Sequence, residues 1–117
     1  MQLKLSNRNE DGILVVDCAG RIVFGDESGY LRDTVKQLLL ENNRIVLNLG
    51  EITYIDSGGL GTLVALYTSA TQSGATIKLA NLTKRVGDLL QVTKLLTVFE
   101  VYDNEEKALE AFRKAAA

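Results

Sequence analysis

Apolar positions along the chain change their spacing several times, and each change marks an element. Leu3 and Leu5, then Ile13-Leu14-Val15-Val16, flank the polar cluster Asn9-Glu10-Asp11-Gly12, whose Asp-Gly pair signals a turn between two strands. The chain is therefore expected to open on a hairpin. After Gly20, the short run Arg21-Ile22-Val23-Phe24 ends at Gly25-Asp26-Glu27-Ser28, a cluster rich in residues that cap helix N-termini. From about Ser28 to Glu41, Leu31, Val35, Leu38 and Leu39 recur at helical spacing and predict a helix with one face against a sheet, stopped by Asn42-Asn43.

The run Ile45-Val46-Leu47-Asn48-Leu49 is nearly continuous and rich in β-branched residues, which predicts an interior strand covered on both faces at the centre of the sheet. Helical spacing resumes at Leu60, Leu63, Val64, Tyr67 and Ala70, with Gly74 as the C-terminal glycine. A second unit follows: Thr76-Ile77-Lys78-Leu79-Ala80 as strand, then Asn81 or Thr83 as cap for a helix burying Val86, Leu89 and Leu90. Thr97 to Tyr102 reads as a last short strand. Asp103 with Glu106 forms an aspartate capping box before Ala108, Leu109 and Phe112, and Ala115-Ala116-Ala117 is expected to fray. A hairpin followed by alternating helices and strands predicts an α/β fold, with a mixed sheet and right-handed crossovers.

Length and composition narrow the function. From 117 residues one domain is expected, without a separate catalytic one, while 46% hydrophobic and 24% charged residues are those of an ordinary folded protein. A net charge of -2 and a pI near 5.1 supply no basic face for nucleic acid. No apolar run reaches the roughly 18 residues that span a bilayer, and Met1-Gln2-Leu3-Lys4-Leu5 does not open a signal peptide, so a cytoplasmic protein without a membrane partner is expected. Cys18 is the only cysteine and there is no histidine, which excludes an internal disulfide and the usual Cys/His zinc site; no metal is expected. Cys18 itself, within Val15-Val16-Asp17-Cys18-Ala19, is read as a buried small hydrophobe.

The chemistry concentrates in Asp56-Ser57-Gly58-Gly59-Leu60-Gly61, at a strand-to-helix junction where free backbone N–H groups and the positive end of a helix dipole meet. Ser57 has no imidazole to activate it, and Ile55 stands where the G-x-S-x-G elbow needs glycine, which argues against a hydrolytic nucleophile. Gly58-Gly59-Leu60-Gly61 lacks both the Walker lysine and the dinucleotide spacing. Capping by Asp56 or Ser57 does not explain three glycines in four residues, since each costs a helix interior about 0.8 to 1 kcal/mol relative to alanine. Bare backbone that lets a partner's active site reach the Ser57 hydroxyl does explain them, with Leu60 as an apolar contact at the edge. Phosphorylation there would add about 1.5 to 2 negative charges, which helix N-terminal amides can hold while a docked partner is repelled. Lys84-Arg85 and Lys94 are read as solvated, Glu105-Glu106 as favourable to a helix dipole, and Tyr67 as core.

At these residues the chain resembles the STAS family, and within it the bacterial anti-sigma-factor antagonists, whose phosphorylation motif is approximately D-S-x-G-L-G. The resemblance extends to Gly20-Arg21-Ile22, Arg44 to Leu49, Gly74 before Ile77-Lys78-Leu79, and Leu95 to Phe99. It implies a single STAS domain over residues 1–117, with a mixed sheet of four to five strands and about four helices packed against it. It also implies a non-enzymatic module that binds an anti-sigma factor with serine-kinase activity, without a cofactor or small-molecule substrate. That partner would phosphorylate Ser57 from ATP and a serine phosphatase would reverse it, the unmodified form holding the kinase and releasing a sigma factor. Asp56 matches the acidic residue before the phosphoserine, where it would orient the loop or the hydroxyl. Asp26 is the candidate for a second acidic residue near the loop, in a segment one residue longer than the family pattern; its other role is helix capping. The alternatives are a STAS scaffold or transport accessory subunit that is not phosphorylated, or a small nucleotide-binding protein.

Overall fold

In the computed structural model, which describes residues 1–116, the chain begins with β1 (Leu3–Glu10) and β2 (Ile13–Ile22), paired antiparallel. Asp11 and Gly12 join them, both at positive φ (56° and 86°), the primed turn whose twist suits a hairpin. There follow α1 (Asp26–Leu39), β3 (Arg44–Ile55), α2 (Ser57–Gln72), β4 (Thr76–Ala80), α3 (Lys84–Val92), β5 (Glu100–Tyr102) and α4 (Glu105–Ala116). The strands lie in the order β1-β2-β3-β4-β5, with all pairs after the first parallel. This is the mixed sheet that the alternation predicts, with β3 at its centre.

Strand periodicity sorts the core onto two faces. Leu14, Val16, Cys18, Ile45, Leu47, Ile77 and Leu79 pack with Leu31, Leu63, Leu66, Val86 and Leu90 of the first three helices. The intervening Ile13, Val15, Val46 and Ala80 pack with Ala108, Leu109 and Phe112 of α4. β3 is covered on both sides, as its continuous apolar run requires. Tyr67 is half-buried against Phe99, with ring centroids 5.4 Å apart at 72°. Lys78 points toward α4, its Nζ 2.5 Å from Glu100 Oε1 and 4.7 Å from the centre of the Phe112 ring.

Several boundaries differ from expectation, each for a local reason. The run Arg21 to Phe24 is not separate, because β2 passes through Gly20 with register shifts on either side and reaches Ile22. A Cβ at Gly20, whose φ is +114°, would fall 3.0 Å from the carbonyl carbon of Gln2, so glycine lets β1 cross closely. α1 starts from Gly25 with no side-chain cap; the Ser28 hydroxyl donates instead to Val23 O at 2.6 Å. Of the two candidate caps for α3, Thr83 accepts from Val86 N, while Asn81 takes a left-handed conformation. The last strand covers only Glu100–Tyr102, because residues 95 to 98 bond locally, Val98 N to Leu95 O at 3.0 Å. Asn104, not Asp103, caps α4 by accepting from Lys107 N at 2.9 Å, and Asp103 pairs with the Lys107 side chain. α4 continues through Ala116, and the expected fraying of Ala117 lies outside the described residues.

β3 also runs six residues beyond the expected Leu49. Its pairing with β4 stops at Asn48, whereas its pairing with β2 continues to Ile55, so residues 50–55 project past the neighbouring strand on one side.

Candidate functional site

The projecting end of β3 delivers Asp56 and Ser57 to the start of α2. Asp56 is the N-cap, in extended conformation, and its Oδ1 accepts from Gly59 N at 2.8 Å. The same carboxylate accepts from Phe24 N at 3.1 Å, and Asp56 N donates to Ile22 O, so one residue ties the end of β2 to the helix start. The N–H groups of Gly59 and Phe24 hold the Asp56 carboxyl below the usual carboxylate range. Asp56 is thus an ionised clamp on the loop rather than a base beside the serine.

Ser57 is the first residue of α2; its side chain is exposed, and no hydrogen bond within the described residues engages its hydroxyl. The glycines beside it divide into two kinds. A Cβ at Gly59 would fall 2.8 Å from the carbonyl carbon of Ile22 and closer still to its oxygen, and one at Gly58 would meet Phe24 Cβ at 2.6 Å. These two glycines let the helix start lie directly on the end of β2. Only Gly61 faces open space, so the expectation that all three expose bare backbone is corrected.

Leu60, expected at the edge, is 6% exposed and packs in the core, because it lies on the sheet-facing side of α2 with Leu63. The apolar surface at the loop is instead Phe24, 81% exposed, whose backbone is held by Asp56 and whose side chain adjoins Gly58. Asp26 stands exposed at the first position of α1, next to Gly25, which lines a groove with Phe24, Gly58 and Gly61. A larger groove of about 570 Å³ lies on the other side of Ser57, lined by Tyr54, Asp56, Ser57, Arg85, Asp88 and Val92. Arg85, expected to be merely solvated, stacks on Tyr54 with its guanidinium carbon 4.4 Å from the ring centre. Phe24 was not legible as part of this surface, because it looks like the end of a strand; Arg85 is exposed, as a surface charge should be, and its seat on Tyr54 is what the sequence did not show. Glu105 also departs from expectation: it is bound by Arg8 and by Asn48 Nδ2 at 3.1 Å, away from this site. Among the described residues no helix is long and apolar enough to cross a membrane, and no group of three His, Cys, Asp or Glu is placed to hold a metal.

A five-stranded mixed sheet whose central strand hands a serine to the N-terminus of the next helix defines a STAS-type domain. The chain belongs to the STAS domain family, which it matches over residues 4–108. It is 27% identical over 111 residues to the anti-sigma F factor antagonist of Paenibacillus polymyxa, an alignment covering 93% of this chain and 94% of that protein. The anti-sigma factor antagonist from Mycobacterium paratuberculosis superposes with a TM-score of 0.83 at 20% identity, covering 95% and 94% of the two chains. The phosphorylated form of the Bacillus cell fate determinant SpoIIAA superposes at 0.70 with 14% identity, covering 93% and 99%. The two structural likenesses establish the fold.

Proposed function

We propose that this chain is an anti-sigma-factor antagonist, a cytoplasmic binding module rather than an enzyme, whose hold on an anti-sigma factor with serine-kinase activity is switched at Ser57. The observation that carries the reading is the exposed, unengaged hydroxyl of Ser57 on a loop fixed by Asp56. A kinase's active site can enclose such a hydroxyl without moving the fold. The names of the curated relative and of the Mycobacterium structure support the partner class, and SpoIIAA, which shares the fold, exists in a phosphorylated form.

In the transfer step the Ser57 Oγ attacks the γ-phosphorus of ATP; the new O–P bond forms as the bond to the ADP oxygen breaks, and the hydroxyl proton passes to a base on the kinase. Asp56 does not supply that base, since its oxygens are turned to Gly59 and Phe24. Once modified, Ser57 presents a dianion in place of a hydroxyl. Burying that charge against a partner without compensation costs several kcal/mol, on the order of a hundredfold in affinity or more. The complex then releases, a serine phosphatase resets it, and no refolding is needed. Phe24 supplies the apolar contact first expected of Leu60, with Gly61 lining the same groove and Asp26 following Gly25 at the start of α1.

The test is calorimetric titration of Ser57→Ala and Ser57→Asp into the kinase, with mass spectrometry of the wild-type peptide after incubation with ATP. Ser57→Ala should bind as wild type and stay unmodified, whereas Ser57→Asp should bind weakly. Equal affinity for both variants would refute the switch.

A further inference from the structure

Around Ser57 the charges are distributed unevenly. The larger groove is lined on one side by the start of α2, at Asp56 and Ser57, and on the other by the face of α3 that carries Arg85, Asp88, Leu89 and Val92. Two bases, Lys84 and Arg85, occupy the first turn of α3, which carries no acidic residue, so the helix dipole disfavours them there. Lys84 is compensated, its Nζ lying 2.7 Å from Asp88 Oδ2. Arg85 has no carboxylate partner among the described residues. It is held by the face of Tyr54, three residues before the serine, and Arg21 lies over the same ring at 5.1 Å.

The acids of the groove are already engaged, Asp56 by backbone N–H groups and Asp88 by Lys84. An exposed guanidinium with no carboxylate partner among the described residues, stacked on an aromatic ring at the edge of the groove that holds Ser57, is suited to a phosphoryl oxygen pair. We infer that Arg85 is the intramolecular partner of the phosphoryl group on Ser57, leaving the Tyr54 ring to pair with it when the serine is modified. This deepens the switch described above and rests on Ser57 being the modified residue. Capture of Arg85 also withdraws from the docking face a cation that an acidic partner would meet in the unmodified form.

The experiment uses the full chain with phosphoserine incorporated at position 57 during translation, so that no kinase is needed. The phosphorus resonance is titrated with pH in the wild-type background, in Arg85→Gln and in Arg85→Lys. An exposed phosphoserine loses its second proton near pH 6. The wild-type midpoint should lie at least about half a pH unit below that of Arg85→Gln, a roughly threefold difference in proton affinity, with Arg85→Lys retaining most of the depression. Coincident curves for wild type and Arg85→Gln overturn the inference, as does Arg85→Lys behaving like Arg85→Gln. A kinase that fails to modify Ser57 would count against the proposed function alone and leave this result standing.

Discussion

Replacing Gly59 and Gly61 separately by alanine tests the reading of the glycine loop, because the same chemical change has opposite expected signs two residues apart. At Gly59 the new methyl carbon would lie 2.8 Å from the Ile22 carbonyl carbon, a backbone group that cannot swing aside as a flexible side chain would. Overpacking of this kind costs typically about 1 to 3 kcal/mol, and at the third helical position the gain in helix propensity offsets little of it. A net loss of about 2 kcal/mol is expected, lowering the melting temperature by about 8 °C at roughly 4 °C per kcal/mol for a domain of this size. Gly61 meets nothing within 4 Å, so alanine there should gain about 0.5 to 1 kcal/mol. Urea melts followed by far-ultraviolet circular dichroism measure both. If Gly59→Ala were as stable as wild type, the close approach of α2 to β2 would be refuted as the reason for that glycine.

Two further outcomes follow from the same loop and from the core. Asp56 has a carboxyl pKa depressed in the folded state, so its stabilising effect is complete above its unfolded value and is lost as pH falls through the folded one. The stability difference between wild type and Asp56→Asn should therefore be present at pH 7 and shrink below about pH 4, and chemical denaturation at both pH values measures it. Cys18 is buried, and burial first, then Asp17, pushes its thiol up to about 12. It should resist a disulfide reagent at pH 8 in native protein and react fully in 6 M guanidinium; rapid native labelling would contradict its placement.

Elements with unbroken apolar periodicity are legible in the sequence: β4 at Thr76–Ala80, the central place of β3, and the buried faces of α1 and α2. The far half of β3 was not, because Gly50, Glu51 and Thr53 dilute its apolar signal while β2 alone supplies its ladder. At the site, Asp56 and Ser57 stand where the motif put them. The two packing glycines read like exposed ones, since what distinguishes them is the strand end at Ile22 and Phe24, more than thirty residues away. Arg85 faced the same obstacle, because its aromatic seat, Tyr54, lies on a different element. Leu60 was misplaced by proximity to the loop, although its spacing to Leu63 already set it on the inward side of α2.

The unequal lengths of β3 and β4 have a mechanical meaning. Residues 44–48 are anchored by ladders on two sides, whereas residues 50–55 are anchored by one, so the serine is carried on a cantilever rooted in the stiffest part of the protein. A partner that docks at the serine therefore meets an arm held by β2 alone, and amide exchange should be faster along residues 50–55 than along residues 44–48.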